Sequence, residues 1–286
     1  MITWFPGHMA KARRMIESQS SGMDIICEVA DARIPLSSRN PDLDKLTSGK
    51  PRLIILNRID LADPSETARW TAALKAGGSA VLECDAKSGK GIDRFEASVR
   101  AVLADKIAKR EERGMGGRPI RAMVAGIPNV GKSSFINKAA KRKAAIASDR
   151  PGVTRGRQWV AAGNGLELLD TPGILWPKIE REWQGENLAF TGAIKDTVTD
   201  VETIAGKLLA RLEQTYPELL VRRYKLDFGG ADENPEARGY GLLTQAARNR
   251  GFKISGGEAD TLRMANVALD EFRAGAIGRV TLETVP

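Results

Sequence analysis

The sequence predicts an α/β protein, a mostly parallel sheet with flanking helices, followed by a smaller α-helical domain. Three observations carry that expectation. Short apolar runs alternate with helical stretches over the first 175 residues. One of these runs leads through a glycine-rich loop directly into a helix. Beyond residue 176 the apolar residues recur only at helical spacing. The domains are therefore expected at 1–175 and 176–286, and 286 residues suffice for two cores.

The elements follow in order. Residues 23–30 read as a short apolar strand that ends in Asp31-Ala-Arg33-Ile-Pro35, which reads as structural support. A second strand, 52–56, precedes a helix over 65–76 and a third strand near 79–84. Ile92, Phe95, Val99, Leu103 and Ile107 recur at steps of three and four, the pattern of one amphipathic helix. It ends in Gly114-Met-Gly-Gly-Arg-Pro119, a joint between two halves. Strand 120–125, the loop Gly126-Ile-Pro-Asn-Val-Gly131-Lys132-Ser133, helix 134–139 and strand 166–169 complete the first domain. Right-handed crossovers then gather the loops at the carboxyl ends of the strands. In the second domain Thr199-x-x-Glu202 and Ser255-x-x-Glu258 read as capping boxes. The stripes Ile204, Leu208, Leu212 and Leu262, Ala265, Leu269, Phe272 follow them as core faces.

Four segments carry chemistry. The loop ending in Asn129, Val130, Gly131, Lys132, Ser133 and Ser134 is a complete phosphate loop, whose backbone N–H groups cradle a β-phosphate at a helix N-terminus. Lys132 would bridge β- and γ-phosphate oxygens, and the Ser133 hydroxyl would bind Mg²⁺. Asp170-Thr-Pro-Gly173 ends an apolar strand, where Asp170 can hold Mg²⁺ through water and the Gly173 N–H can meet the γ-phosphate. Thr154 lies between the two, at the place of a switch threonine. Asn57-Arg58-Ile-Asp60 has the form of a guanine-reading loop, with Asp85-Ala86-Lys87 as its companion. A buried Asp60 accepting from guanine N1–H and N2–H₂ would be unpaired against adenine. Arg58 stands where such loops usually carry Lys; it keeps the aliphatic stem but changes the head group. An ordinary G domain has the phosphate loop first and the base-reading loops last. The reversed order here reads as a circularly permuted P-loop GTPase domain that takes GTP or GDP.

The permuted order, Trp4-Phe-Pro-Gly-His8-Met-Ala-Lys11, Asp31-Ala-Arg-Ile-Pro35, Gly256-Gly-Glu, Phe272-Arg-Ala-Gly275 and Gly278-Arg-Val-Thr together resemble the ribosome biogenesis GTPase A (YlqF/RbgA) family. The resemblance covers nearly the whole chain. It implies a GTPase that helps mature the large ribosomal subunit, with a helical RNA-contacting domain after the G domain. Many GTPases carry a water-positioning glutamine after Asp-x-x-Gly; here Ile174 can neither donate nor accept. The resemblance assigns hydrolysis to His8, the single histidine, in a segment expected to be ordered by a partner. The other reading of His8 is the end of a turn. Asn129 resembles the loop asparagine of potassium-activated GTPases, whose side-chain oxygen helps bind K⁺. Its alternative is an asparagine that only tolerates an unusual backbone angle.

Bulk properties narrow the partners. The net charge of +8 suggests an anionic one, and residues 1–175 hold 29 Lys/Arg against 19 Asp/Glu. Residues 176–286 hold 15 against 17, so the helical domain is not basic overall. Lys138, Lys141, Arg142, Lys143, Arg150, Arg155 and Arg157 gather around the phosphate loop and Thr154, so rRNA contact is expected on that side. Arg222-Arg223-x-Lys225 and Arg248-x-Arg250-x-x-Lys253 read equally as phosphate contacts or plain surface. Trp4, Phe5 and Met9 read as core packing, and Lys11, Arg13 and Arg14 as a short basic helix. No apolar run approaches ~18 residues, so no membrane partner is expected. Cys27 and Cys84 read as buried thiols suited to a reducing cytoplasm. A cytoplasmic monomer is expected. A GTP-dependent binding module with negligible hydrolysis is the alternative, and an RNA-modifying or signalling protein is a third class.

Overall fold

The computed structural model describes residues 7–140, 158–229 and 234–285. Trp4, Phe5, Thr154 and the basic residues at 141–143, 150, 155 and 157 lie outside them, as does the side chain of His8. Two units are present. One takes in the described part of 7–179 together with 283–285; the other is 180–282.

The first unit begins with α1 (Gly7–Ser20), which turns Met9, Ala12 and Ile16 inward at helical spacing. Strand β1 (Ile25–Asp31) is buried along all seven residues, as a central strand covered on both faces must be. After the short α2 (Leu43–Leu46) come β2 (Arg52–Asn57), α3 (Pro64–Ala76) and β3 (Ala80–Glu83). Asp63 caps α3 by accepting from the Ser65 and Glu66 N–H groups, and Pro64 occupies the first helical position, where its missing donor costs nothing. The stripe from Ile92 to Ile107 forms not one helix but three pieces: a 3₁₀ turn (Ile92–Arg94), α4 (Phe95–Val102) and α5 (Ala104–Glu112). The break is at Leu103, whose N–H is shared between the Val99 and Arg100 carbonyls at 3.1 and 3.2 Å. Apolar spacing survives such a kink, so the pattern alone does not reveal it.

Strands β4 (Ile120–Ala125), β5 (Gln158–Ala161) and β6 (Leu166–Asp170), with α6 (Lys132–Ala139) between the first two, complete the unit. The sheet runs β3-β2-β1-β4-β6-β5, parallel except for β5 against β6. From β1 the chain steps to one side, and from β4 to the other. The switch point of this doubly wound sheet therefore lies between β1 and β4, where ligands of such sheets bind. Renumbered from β4, the order becomes 2-3-1-4-5-6, and the α5-to-β4 connection joins last strand to first. That joint is fastened. Asp24, at the foot of β1, takes Lys106 at 2.8 Å, Arg110 from α5, and the Arg121 N–H of β4 at 3.0 Å. Burial pushes the Asp24 carboxyl up, but these donors outweigh it and hold the pKa at about 2. Cys27 and Cys84 are buried free thiols, pushed up to about 12 by burial.

The second unit consists of α7 (Glu182–Phe190), α8 (Val201–Thr215), α9 (Pro217–Tyr224), α10 (Pro235–Asn249) and α11 (Thr261–Ala274). Leu208, Leu212, Leu243, Met264, Leu269 and Phe272 lie in one core. Gly206 of α8 and Gly239 of α10 let the two backbones touch: a Cβ on Gly239 would lie 2.6 Å from the Gly206 carbonyl group. Both capping boxes fail in detail. The caps are Asp200, accepting from the Glu202 and Thr203 N–H groups, and Asp260, accepting from Arg263 N–H. A carboxylate at the last non-helical residue takes the free N–H groups, and Glu202 is drawn instead to the Thr261 hydroxyl. Leu262 is 54% exposed and not core; Met264 fills that place.

After this unit the chain returns to the first. The Glu283 carboxylate accepts from the backbone N–H of Leu36 at 2.6 Å and of Ser37 at 3.0 Å, and from the Ser37 hydroxyl. Its carbonyl accepts from Trp70 Nε1 at 2.8 Å. Among the described residues, no helix is long and apolar enough to cross a membrane.

Candidate functional site

At the carboxyl edge of β4 the chain turns through 126–131 into α6, and Gly131 is left-handed at φ +91°. A side chain there would collide with the Asn57 amide, so the close approach of the two loops requires glycine. Gly173 is equally constrained. A Cβ on it would lie 2.7 Å from the Pro128 nitrogen and 3.0 Å from Lys132 Nζ. The Asp170–Gly173 segment thus lies against the phosphate loop, as register predicts, since Val124 pairs with Asp170 across β4 and β6.

Asn57 binds the pieces together. Its Nδ2 donates to the Val130 carbonyl at 2.8 Å, and its Oδ1 accepts from the Ala86 N–H at 2.9 Å and faces Cys84 Sγ at 3.6 Å. One buried side chain therefore ties both base-reading loops to the phosphate loop. Asp85 shapes the second of these loops by accepting from the Lys87 and Ser88 N–H groups at 2.8 and 3.1 Å. Burial raises its carboxyl, but those bonds outweigh it and lower the pKa. Arg58 is left-handed at φ +63°, and Nη2 donates to the Asn129 carbonyl at 2.5 Å. Asn129 is itself left-handed, at φ +60°. Asp60 is exposed, so the burial its selectivity argument requires has to come from the base.

The phosphate end is buried. Lys132 Nζ donates to the Ile127 carbonyl at 2.8 Å, and burial lowers its pKa to about 8 against the pull of Asp170. Asp170 is 1% exposed; Oδ2 accepts from Ser133 Oγ at 3.4 Å, while Oδ1 is buried without a hydrogen-bond partner. Burial raises its pKa, opposed by Lys132. A buried, unpartnered carboxylate oxygen beside a serine hydroxyl fits a hard divalent cation that takes its remaining ligands from water and phosphate. Among the described residues no cluster of three His, Cys, Asp or Glu side chains offers another metal site. Ser134 is half-buried in the first turn of α6. Ile174 is 1% exposed in a core with Met123 and Leu169, so nothing polar follows Gly173.

The structural support expected of Asp31-Ala-Arg33-Ile-Pro35 takes the form of a buried ion pair. Arg33 is 1% exposed and forks onto Asp31, Nε to Oδ1 at 3.0 Å and Nη2 to Oδ2 at 2.8 Å. The only signal was the two-residue spacing. Asn40 donates to the Ile174 carbonyl at 3.3 Å, which no local pattern announces. In the second unit, Arg223 and Arg250 both pair with Glu271, and Arg250 lies over Tyr224 at 5.2 Å, so these two arginines are structural.

A strand, a phosphate loop opening a helix, a carboxylate on the neighbouring strand and base loops pinned to it from an earlier part of the chain define a circularly permuted P-loop nucleotide-binding domain of the GTPase class. The comparisons agree. The family model described as 50S ribosome-binding GTPase matches residues 121–218, beginning in β4 and leaving out both base-reading loops, as permutation demands. Ribosome biogenesis GTPase A of Bacillus cereus is 43% identical over 99% of this chain and 94% of its own length. That of Priestia megaterium is 45% identical over 99% and 96%. A GNP-bound YlqF from T. maritima superposes with a TM-score of 0.65 at 26% identity, covering 96% of this chain and 98% of that one. The chain belongs to the ribosome biogenesis GTPase A family.

Proposed function

We propose that this chain is a GTP-binding and GTP-hydrolysing factor for assembly of the large ribosomal subunit, working as a monomer in the cytoplasm. The observation that most supports it is Asn57, whose amide joins Val130 and Ala86 and so makes one pocket edge from three separate loops. Asp60 accepts from the guanine edge, Arg58 covers the base with its stem, and Asp85, Ala86 and Lys87 close the other side. Lys132 and the N–H groups from Asn129 to Ser134 hold the phosphates, and Gly173 N–H meets the terminal one. Ser133, Thr154 and Asp170 would hold Mg²⁺, which supplies charge neutralisation at the phosphate oxygens. His8 orients the attacking water, and Asn129 assists K⁺ binding. The basic residues around 138–157 and the second unit contact rRNA.

GTP turnover in KCl and in NaCl, with and without purified large ribosomal subunits, tests this reading. Stimulation by the subunit supports an assembly GTPase; equal rates in the two salts remove the role of K⁺. The buried Ile174 favours a second reading, a GTP-dependent binding module with negligible hydrolysis. Nucleotide-dependent subunit binding without stimulated turnover would select it.

A further inference from the structure

We propose that Asp31 is a positioning residue for nucleotide binding: it fixes the Arg58 guanidinium, and through it the backbone of the phosphate loop at Asn129. The proposal rests on the reading of this site as a guanine-nucleotide site.

Three observations lead to it. First, Asp31 is 1% exposed at the carboxyl end of β1, paired in register with Asn57, the residue before Arg58. Its carboxylate is clamped by Arg33, whose backbone N–H also donates to Oδ1 at 3.0 Å, and its own N–H donates to Ser38 Oγ at 2.9 Å. It is therefore a fixed charge and not a swinging one. Burial raises the Asp31 carboxyl, but Arg33 and Arg58 outweigh it and keep the group ionised.

Second, Arg58 Nη1 lies 3.7 Å from Asp31 Oδ2 while its Nη2 reaches the Asn129 carbonyl. A planar guanidinium can serve a carboxylate and a carbonyl at the same moment from separate nitrogens; an ammonium offers one point. The arginine at this position thus has a use for its fork. Third, the backbone on both sides of the contact is unusual. Arg58 and Asn129 are both left-handed, a conformation asparagine tolerates and a long side chain rarely adopts. The positive φ of Arg58 accompanies a side chain that reaches the phosphate loop, and strain of this kind persists only where surrounding contacts enforce it. Asp31 supplies a fixed anionic anchor for it. The contact differs from that of Asn57, which holds the same loop one residue further on, at Val130.

The test is a double-mutant cycle on GDP affinity, read with a methylanthraniloyl-labelled GDP, in the parent, Asp31→Asn, Arg58→Met and the double variant. Asp31→Asn should weaken GDP about tenfold and leave kcat at saturating GTP within about twofold. In the Arg58→Met background the same change should cost less than about twofold, because nothing remains to be positioned. Asp31→Glu should recover part of the loss. Multiplying losses in the double variant, or unchanged affinity in a folded Asp31→Asn, overturns the proposal. Should Asp31→Asn not fold, side-chain ¹⁵N spectra of the nucleotide-free parent carry the test. The guanidinium signal that disappears in Arg58→Met should show slowed rotation, and a freely rotating group overturns the idea. Competition of ADP against labelled GDP in the parent is a separate control. Equal competition would defeat the guanine reading itself while leaving the Asp31–Arg58 coupling measurable.

Discussion

Asp24 shows how much one carboxylate can hold. It gathers Lys106, Arg110 and the Arg121 N–H, and so clasps the joint created by permutation. Its folded pKa, about 2, lies below the ordinary 3.8. The folded form therefore releases the proton more readily than the unfolded chain, and the resulting stability is full above pH ~4 and lost as pH falls towards 2. Asp24→Asn should cost about 2 kcal/mol at pH 6, and about half of that at pH 3, in urea unfolding of the first unit. A penalty that grows on acidification would contradict the ion-pair account. At this scale the sequence was most legible where chemistry is contiguous: Lys132, Ser133 and Asp170 follow from short motifs whose spacing the phosphate itself dictates. Asn57 was legible as a member of its motif but not as a tie, because both its partners lie far along the chain. Asn40 and Glu283 act through similar long-range contacts, whereas Arg33 acts on Asp31 two residues away.

Among elements, the five parallel strands were readable, since continuous apolar runs report central parallel strands. The short antiparallel edge strand β5 and the order of strands in the sheet were not. The second unit was readable only as helical. Its caps went to Asp200 and Asp260 by competition between neighbouring polar residues, and the kink at Leu103 preserves the apolar spacing that a straight helix would show. Two close approaches invite measurement. Gly239→Ala should destabilise the second unit by about 3 kcal/mol, because the new methyl meets the Gly206 backbone and no flexible side chain can yield. Circular dichroism against denaturant would reveal it, and a neutral effect would mean that α8 and α10 separate freely. Glu283→Ala should cost about 2 kcal/mol in the first unit, since it takes the carboxylate acceptor from the buried Ser37 N–H and hydroxyl. Trp70, bonded to the same residue, offers a fluorescence probe.

For the whole molecule, permutation leaves the nucleotide loops gathered and moves only the exits. The chain leaves the Asp170–Gly173 segment and enters the second unit at Glu180, a few residues on. A rearrangement around Gly173 on loss of the γ-phosphate would pull on that exit directly. Charge should govern docking on rRNA. Reversing Lys141, Arg142 and Lys143 to Glu should flatten the salt dependence of subunit binding by about three units of logarithmic slope, measured by sedimentation. An unchanged slope would place the contact elsewhere.

The bond between Glu283 and Ser37 also has a meaning in time. It joins residues 246 positions apart, and everything in the second unit is synthesised between them. A nascent chain can lay down β1 to β6 early, yet the N–H groups of Leu36 and Ser37 must wait for a partner that emerges only after the last helix has been made. The first unit is consequently the earliest to start folding and the last to finish. A chain cut short anywhere in the helices carries a first unit that lacks its Glu283 contact.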